Sequence, residues 1–102
     1  MAKGFYRSGG NIFEDVGFSP AEATTLTAKS NLIAAIRETI EARKLTQAQA
    51  AAECSIDQPT ISKVLRGRME SVTIDRLTMW LKALGGTVEI NAHPYRARTA
   101  TG

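Results

Sequence analysis

The sequence predicts an all-α domain of the five-helix type, closed by one short C-terminal β-strand, and three observations predict it. Apolar residues recur at spacings of three and four through residues 26–40, 61–65 and 74–84. Residues suited to cap a helix, Ser19, Thr46, Asp57 and Thr73, stand directly before the periodic or alanine-rich stretches. One segment, Thr87 to Asn91, alternates polar with apolar side chains. The 102 residues hold one domain with a single core. The expected organisation is a flexible N-terminal segment over 1–18, a folded domain over 19–91 and a flexible tail over 92–102.

The elements follow in order. Residues 1–17 carry four glycines and scattered aromatics with no helical or strand period, which reads as loop. Ser19-Pro20-Ala21-Glu22 then sets a serine N-cap, a proline at the first helical position and a glutamate at the third, the arrangement of a capping box. Leu26, Lys29, Ile33, Ile36 and Ile40, widened by Leu32, form one amphipathic stripe. Ser30 and Asn31 leave two readings open, one helix over 20–42 or two.

Thr46 caps the next helix, Gln47 to Cys54, whose alanines at 48, 50, 51 and 52 let a neighbour approach closely. Ser55-Ile56-Asp57 is a short turn, with Asp57 as cap and Pro59 where its missing N–H costs little. A helix from Gln58 buries Ile61, Val64 and Leu65 and stops at Gly67, a residue suited to a left-handed C-terminal cap. Thr73 caps Ile74 to Leu84, with Ile74, Leu77, Leu81 and Leu84 inward, and Gly85-Gly86 ends it.

Composition narrows the class. Apolar residues at 43% and charged residues at 23% are ordinary for a folded domain and too apolar for a disordered chain. The net charge of +3 favours an anionic partner only weakly, but Lys63, Arg66 and Arg68 lie between Asp57 and Glu70 with no acid among them. Cys54, the single cysteine, excludes an internal disulfide, and with the solitary His93 it leaves no metal site and no cofactor to expect. No signal-peptide core or membrane-length apolar run is present, so a cytoplasmic protein without membrane contact is expected. No carboxylate pair, catalytic triad or phosphate-cradling glycine loop supports an enzyme.

Function concentrates in the two short helices and their turn. Ala50, Ala51, Ile56, Ile61 and Val64 face inward, which leaves Gln58, Pro59, Thr60, Ser62 and Lys63 outward on the second helix. A glutamine amide addresses adenine through two hydrogen bonds, and a lysine reaches guanine acceptors, so this set suits base edges in a major groove. Gln47 opens the first helix where a phosphate meets a helix N-terminus, and Arg66 and Arg68 flank the second helix with positive charge. These three are expected on the DNA backbone.

The stretch from Leu32 to Leu84, with LTQAQAAA at 45–52 and IDQPTISKVLRGR at 56–68, resembles the phage-repressor-type (XRE) helix-turn-helix family. NIFEDVGF at 11–18 and LGGTVEI at 84–90 further resemble antitoxins of the HigA type, which pair with RelE-fold RNase toxins. The resemblance implies a repressor helix-turn-helix fold, a DNA-bound dimer that represses its own operon, and base contacts from the positions of Gln58, Pro59 and Lys63. It also implies backbone contacts from Gln47 and the loop after the second helix. Phe13, Val16 and Phe18 are the apolar anchors expected to meet a toxin. The alternative is a phage- or plasmid-derived regulator with no toxin partner. Many relatives have leucine where Ala50 and Cys54 stand and glycine where Ser55 stands.

A symmetric homodimer is expected through Thr87, Val88, Glu89 and Ile90, because one strand with no second strand in the chain is a template for its symmetry mate. Trp80, one step off the core stripe, suits either extra core volume or an interface anchor, and it is counted with that dimer surface. Cys54 reads as a small buried apolar residue and His93 as a surface side chain.

Overall fold

The computed structural model describes residues 12–95. Five α-helices follow in order: α1, Ile12–Asp15; α2, Pro20–Ala42; α3, Gln47–Cys54; α4, Gln58–Leu65; and α5, Ile74–Ala83. A 3₁₀ turn at Met69–Ser71 joins the last two. Among the described residues no helix is long and apolar enough to cross a membrane.

Local caps start the four longer helices. Ser19 Oγ accepts from the Glu22 N–H at 3.2 Å while Glu22 Oε1 accepts from the Ser19 N–H at 3.0 Å, a complete capping box before Pro20. Thr46 and Gln49 repeat the exchange at 3.0 and 2.8 Å. Asp57 Oδ1 takes the Thr60 N–H at 2.9 Å, and Thr73 Oγ1 takes that of Arg76 at 3.2 Å. Each cap satisfies an amide that the helix itself leaves without a partner.

All five helices end by one device. A residue with positive φ follows each: Gly17, Lys44, Ser55, Gly67 and Gly85, at φ of 107°, 56°, 59°, 94° and 101°. The next residue's N–H then reaches back five positions, as in Phe18 to Phe13, Leu45 to Ile40, Ile56 to Ala51, Arg68 to Lys63 and Gly86 to Leu81, at 2.9–3.2 Å. This is the Schellman closure, which bonds carbonyls that the last turn leaves open. Three of its left-handed positions hold glycine; Lys44 and Ser55 carry a Cβ there and bear the steric cost.

The core joins α2, α3, α4 and α5 through Ile33, Ile36, Ile40, Ala50, Ala51, Cys54, Ile61, Val64, Val72, Leu77, Leu81 and Leu84. Basic side chains of α2 tie the other elements to it. The Lys29 ammonium donates to the Met69 carbonyl at 3.0 Å, Arg37 donates to the Leu65 carbonyl at the end of α4, and Arg43 donates to the Leu84 carbonyl after α5 at 2.9 Å. Cations at helix C-termini also meet the negative end of the helix dipole. Arg43 grips Glu53 through a fork of 2.6 and 3.0 Å as well, which holds that carboxylate below its ordinary range.

Three expectations change, and one open reading is decided. Part of the supposedly flexible segment 1–18 is helical, because Ile12–Asp15 forms a turn closed by Gly17 and by an edge-to-face contact of the Phe13 and Phe18 rings, 6.2 Å apart. Residues 1–11 and 96–102, expected to be flexible, lie outside the described residues. The α2 helix runs unbroken through Ser30 and Asn31, whose exposed side chains do not disturb its ladder. The strand over 87–91 is absent among the described residues: alternation tells which side chains face inward, but a strand needs a paired neighbour, and this segment has none. Trp80, counted with the dimer surface, is 5% exposed and belongs to the core. The α5 helix packs against both α2 and α3, so its apolar arc is wider than one stripe.

Candidate nucleic-acid interface

Helices α3 and α4 pack against each other across the turn Ser55-Ile56-Asp57. Ala50 and Ala51 are buried at the crossing, and half-buried Ile56 packs on the core beneath the turn. Left-handed Ser55 reverses the chain, and Asp57 starts α4 two residues later. Hydrogen bonds from Thr60 hold the Asp57 carboxyl below its ordinary value, with help from nearby Lys63. The cap is therefore an anion at neutral pH and favours the positive end of α4.

Helical geometry divides α4 into two faces. Ile61 and Val64 are buried and Leu65 is half-buried. At ~100° per residue the opposite arc carries Pro59, Ser62, Lys63 and Arg66, with Gln58 at its edge. Gln58, Pro59, Lys63 and Arg66 are exposed. Arg66, assigned to phosphate from sequence, thus shares an arc with the base-reading candidates. Ser62 is half-buried on the same arc, whereas Thr60 is half-buried and turned toward Val72, Arg76 and Trp80. Among the expected base readers, Thr60 is the one displaced from the outward face.

Gln47 is exposed at the first position of α3, beside the capped N-terminus. Arg68 is exposed just beyond Gly67, its own N–H tied to the Lys63 carbonyl at 3.2 Å. The Arg37 bond to Leu65 has no counterpart in the sequence reading. Its acceptor is a backbone carbonyl, a group every residue carries, so no sequence pattern marks it. Cys54 is buried, its thiol directed at the Trp80 carbonyl 3.6 Å away, and burial pushes the thiol up from its ordinary range. A thiol of this kind is inert.

The remaining expected sites lie elsewhere. Val16 and Phe18 are exposed at the N-terminal end of α2 beside Ile12, and Phe13 is half-buried against Phe18. Val88 packs on the core, in a groove that Leu32, Ile74 and Leu81 help to line, while Thr87, Glu89 and Ile90 are exposed.

Two short helices at a capped three-residue turn, the second backed by the core and presenting an outward polar and basic arc, define a helix-turn-helix domain. A family model for a helix-turn-helix domain matches residues 12–93. A solved structure described as an XRE-family transcriptional regulator is similar at 34% identity and a TM-score of 0.68, over 78% of this chain and 90% of that one. The protein belongs to the XRE-type helix-turn-helix family. No curated protein matches the chain.

Proposed function

We propose that this protein is a sequence-specific transcriptional repressor that reads double-stranded operator DNA with α4, binds as a homodimer, and serves as the antitoxin of a toxin-antitoxin pair. The observation that carries the DNA reading is the outward arc of α4, where Gln58, Ser62, Lys63 and Arg66 gather donors around Pro59 without a carboxylate. Gln58 and Lys63 suit base edges, and Gln47, Arg66 and Arg68 suit the phosphates on either side. Replacing Gln58 and Lys63 by alanine is expected to cost about 1–3 kcal/mol for each base left unread and to relax sequence preference. Operator footprints with unchanged selectivity in the double variant exclude α4 as the reader.

The dimer reading is supported by residues 87–91, whose backbone groups have no partner among the described residues and whose Ile90 is 87% exposed. The antitoxin reading is supported by the apolar cluster of Ile12, Val16 and Phe18 in front of α2, with Ile12 71% and Val16 66% exposed. Such a cluster on a small domain fits a protein partner, here an RNase toxin of the RelE fold. Deleting residues 1–18 is expected to spare DNA binding and to abolish neutralisation of a toxin encoded beside it. Neutralisation that survives the deletion favours a regulator without this contact.

A further inference from the structure

Beside the reading face, on the side toward α5, lies a cleft of about 210 Å³ lined by Thr60, Lys63, Val64, Ser71, Val72, Arg76 and Trp80. Its floor is core: Val64, Val72 and Trp80 are all buried. Its other lining residues, Thr60, Lys63, Ser71 and Arg76, are polar or charged, and the Thr60 hydroxyl is bonded to the Asp57 carboxylate. Among the described residues no carboxylate lines it, and the nearest one placed by its contacts, Asp57, is bonded to Thr60 at its edge. The Arg76 guanidinium lies 5.8 Å from the centre of the Trp80 ring, and among the described residues it forms no ion pair. The Ser71 hydroxyl makes only a long 3.4 Å bond to the Arg68 carbonyl, so it is readily redirected.

We propose that this cleft is an oxyanion site that takes a phosphate group between Lys63, Arg76 and Ser71. The two cations supply charge and the Ser71 hydroxyl supplies a directed donor, a set that suits a tetrahedral anion with several acceptor oxygens. The volume of about 210 Å³ leaves room for the group and part of its hydration. Two sources carry this chemistry. With α4 in a major groove, the duplex backbone runs alongside the helix, so a phosphodiester reaches the cleft from the α5 side. A free phosphate reaches it from solution and, because Lys63 belongs to both the cleft and the reading face, opposes DNA binding. The first source rests on the DNA reading above; the second does not.

Trp80 is the single tryptophan and forms part of the cleft, so its fluorescence reports occupancy without a label. The full chain, Arg76→Gln and Ser71→Ala are titrated with inorganic phosphate at constant ionic strength, and separately with duplex DNA over a range of salt. Circular dichroism verifies that both variants fold. The expected result is a saturable Trp80 change with phosphate that Arg76→Gln removes and Ser71→Ala weakens. On DNA, Arg76→Gln is expected to flatten the slope of log K against log[salt] by about one unit without altering sequence preference. A phosphate response that competes with DNA identifies the free anion as an occupant, and a response to DNA alone identifies the duplex; either supports the site. If the unmodified chain binds no DNA, the repressor reading fails and the phosphate titration alone decides the cleft. No Trp80 response to either ligand, or variants that keep the unmodified response and salt slope, overturns it.

Discussion

Replacing Ser55 with glycine is expected to stabilise the protein and leave its DNA-facing side chains in place. Ser55 sits at φ 59°, where a Cβ crowds the following carbonyl, a cost of roughly 1–2 kcal/mol. Its side chain is exposed, and no hydrogen bond among the described residues uses its hydroxyl, so the substitution breaks no bond. Glycine also loosens the unfolded chain, which returns about 0.4–1 kcal/mol of the gain. With the middle of each range the net is about 0.8 kcal/mol. For a domain of this size each kcal/mol moves Tm by about 4–8 °C, so melting rises by roughly 3–6 °C. Far-UV circular dichroism melts of the unmodified chain, Ser55→Gly and Ser55→Ala measure it. Alanine keeps the Cβ and is expected to bring no comparable gain. Equal melting of the glycine and alanine variants, or a lower Tm for glycine, refutes the account of strain at this turn. Lys44 at φ 56° ends α2 by the same closure, and Lys44→Gly repeats the test at a second position.

Three further outcomes follow from other parts of the fold. Gly86→Ala is expected to destabilise by about 1–3 kcal/mol, the usual cost of overpacking a core, because the added Cβ would stand 2.4 Å from Cδ1 of buried Leu81; a denaturant midpoint equal to that of the unmodified chain contradicts this. Val88→Pro, in the proposed dimer strand, removes a ladder donor and is expected to give a monomer by light scattering with much weaker operator binding; a variant that remains dimeric places the interface elsewhere. Glu22, Asp57 and Glu53 are held below their ordinary values, 4.5, 3.8 and 4.5, by bonds from Ser19, Thr60 and Arg43. Depressed carboxylates stabilise above the unfolded range and lose that contribution as pH falls through their folded values. Melting is therefore expected to hold from neutrality to about pH 5 and to decline below the ordinary carboxylate values. Glu22→Gln with Asp57→Asn keeps both caps but cannot titrate, so a decline in that variant as steep as in the unmodified chain counts against this origin.

Helix starts are legible in the sequence because a cap is local: Ser19, Thr46, Asp57 and Thr73 each act on an amide three residues away, within the window a sequence pattern covers. The turn and the outward set on α4 are legible for the same reason, since Asp57, Pro59 and the Ile61 and Val64 spacing fix the helix phase. Helix α1 is not, because a single turn has no period to show and its closure depends on two phenylalanines meeting in space. Trp80 stays open in the sequence, between core volume and an interface anchor, because one stripe suffices for a helix with one neighbour, whereas α5 has two. Polarity alone puts Thr60 outward, and only the position of the α5 wall shows that it turns aside. The bonds of Lys29, Arg37 and Arg43 span 40, 28 and 41 residues to backbone carbonyls, and nothing in the side chains at the far end announces them. Lys29 even falls on the apolar stripe, which its half-buried stem justifies while its ammonium escapes to Met69.

The buried Cys54 thiol gives this molecule a built-in clock. It is the single cysteine of the chain and ends α3, directly before the turn that sets α4, with its thiol directed at the Trp80 carbonyl. A thiol reagent reaches it fully only when the packing around it opens. When reclosing is fast, the labelling rate measures the free energy of opening; when the reagent is faster, it measures the opening rate itself. Varying reagent concentration separates the two regimes. The lifetime of the closed helix pair can thus be timed in the unaltered protein, free or on DNA, with no probe introduced near the surface that meets the nucleic acid.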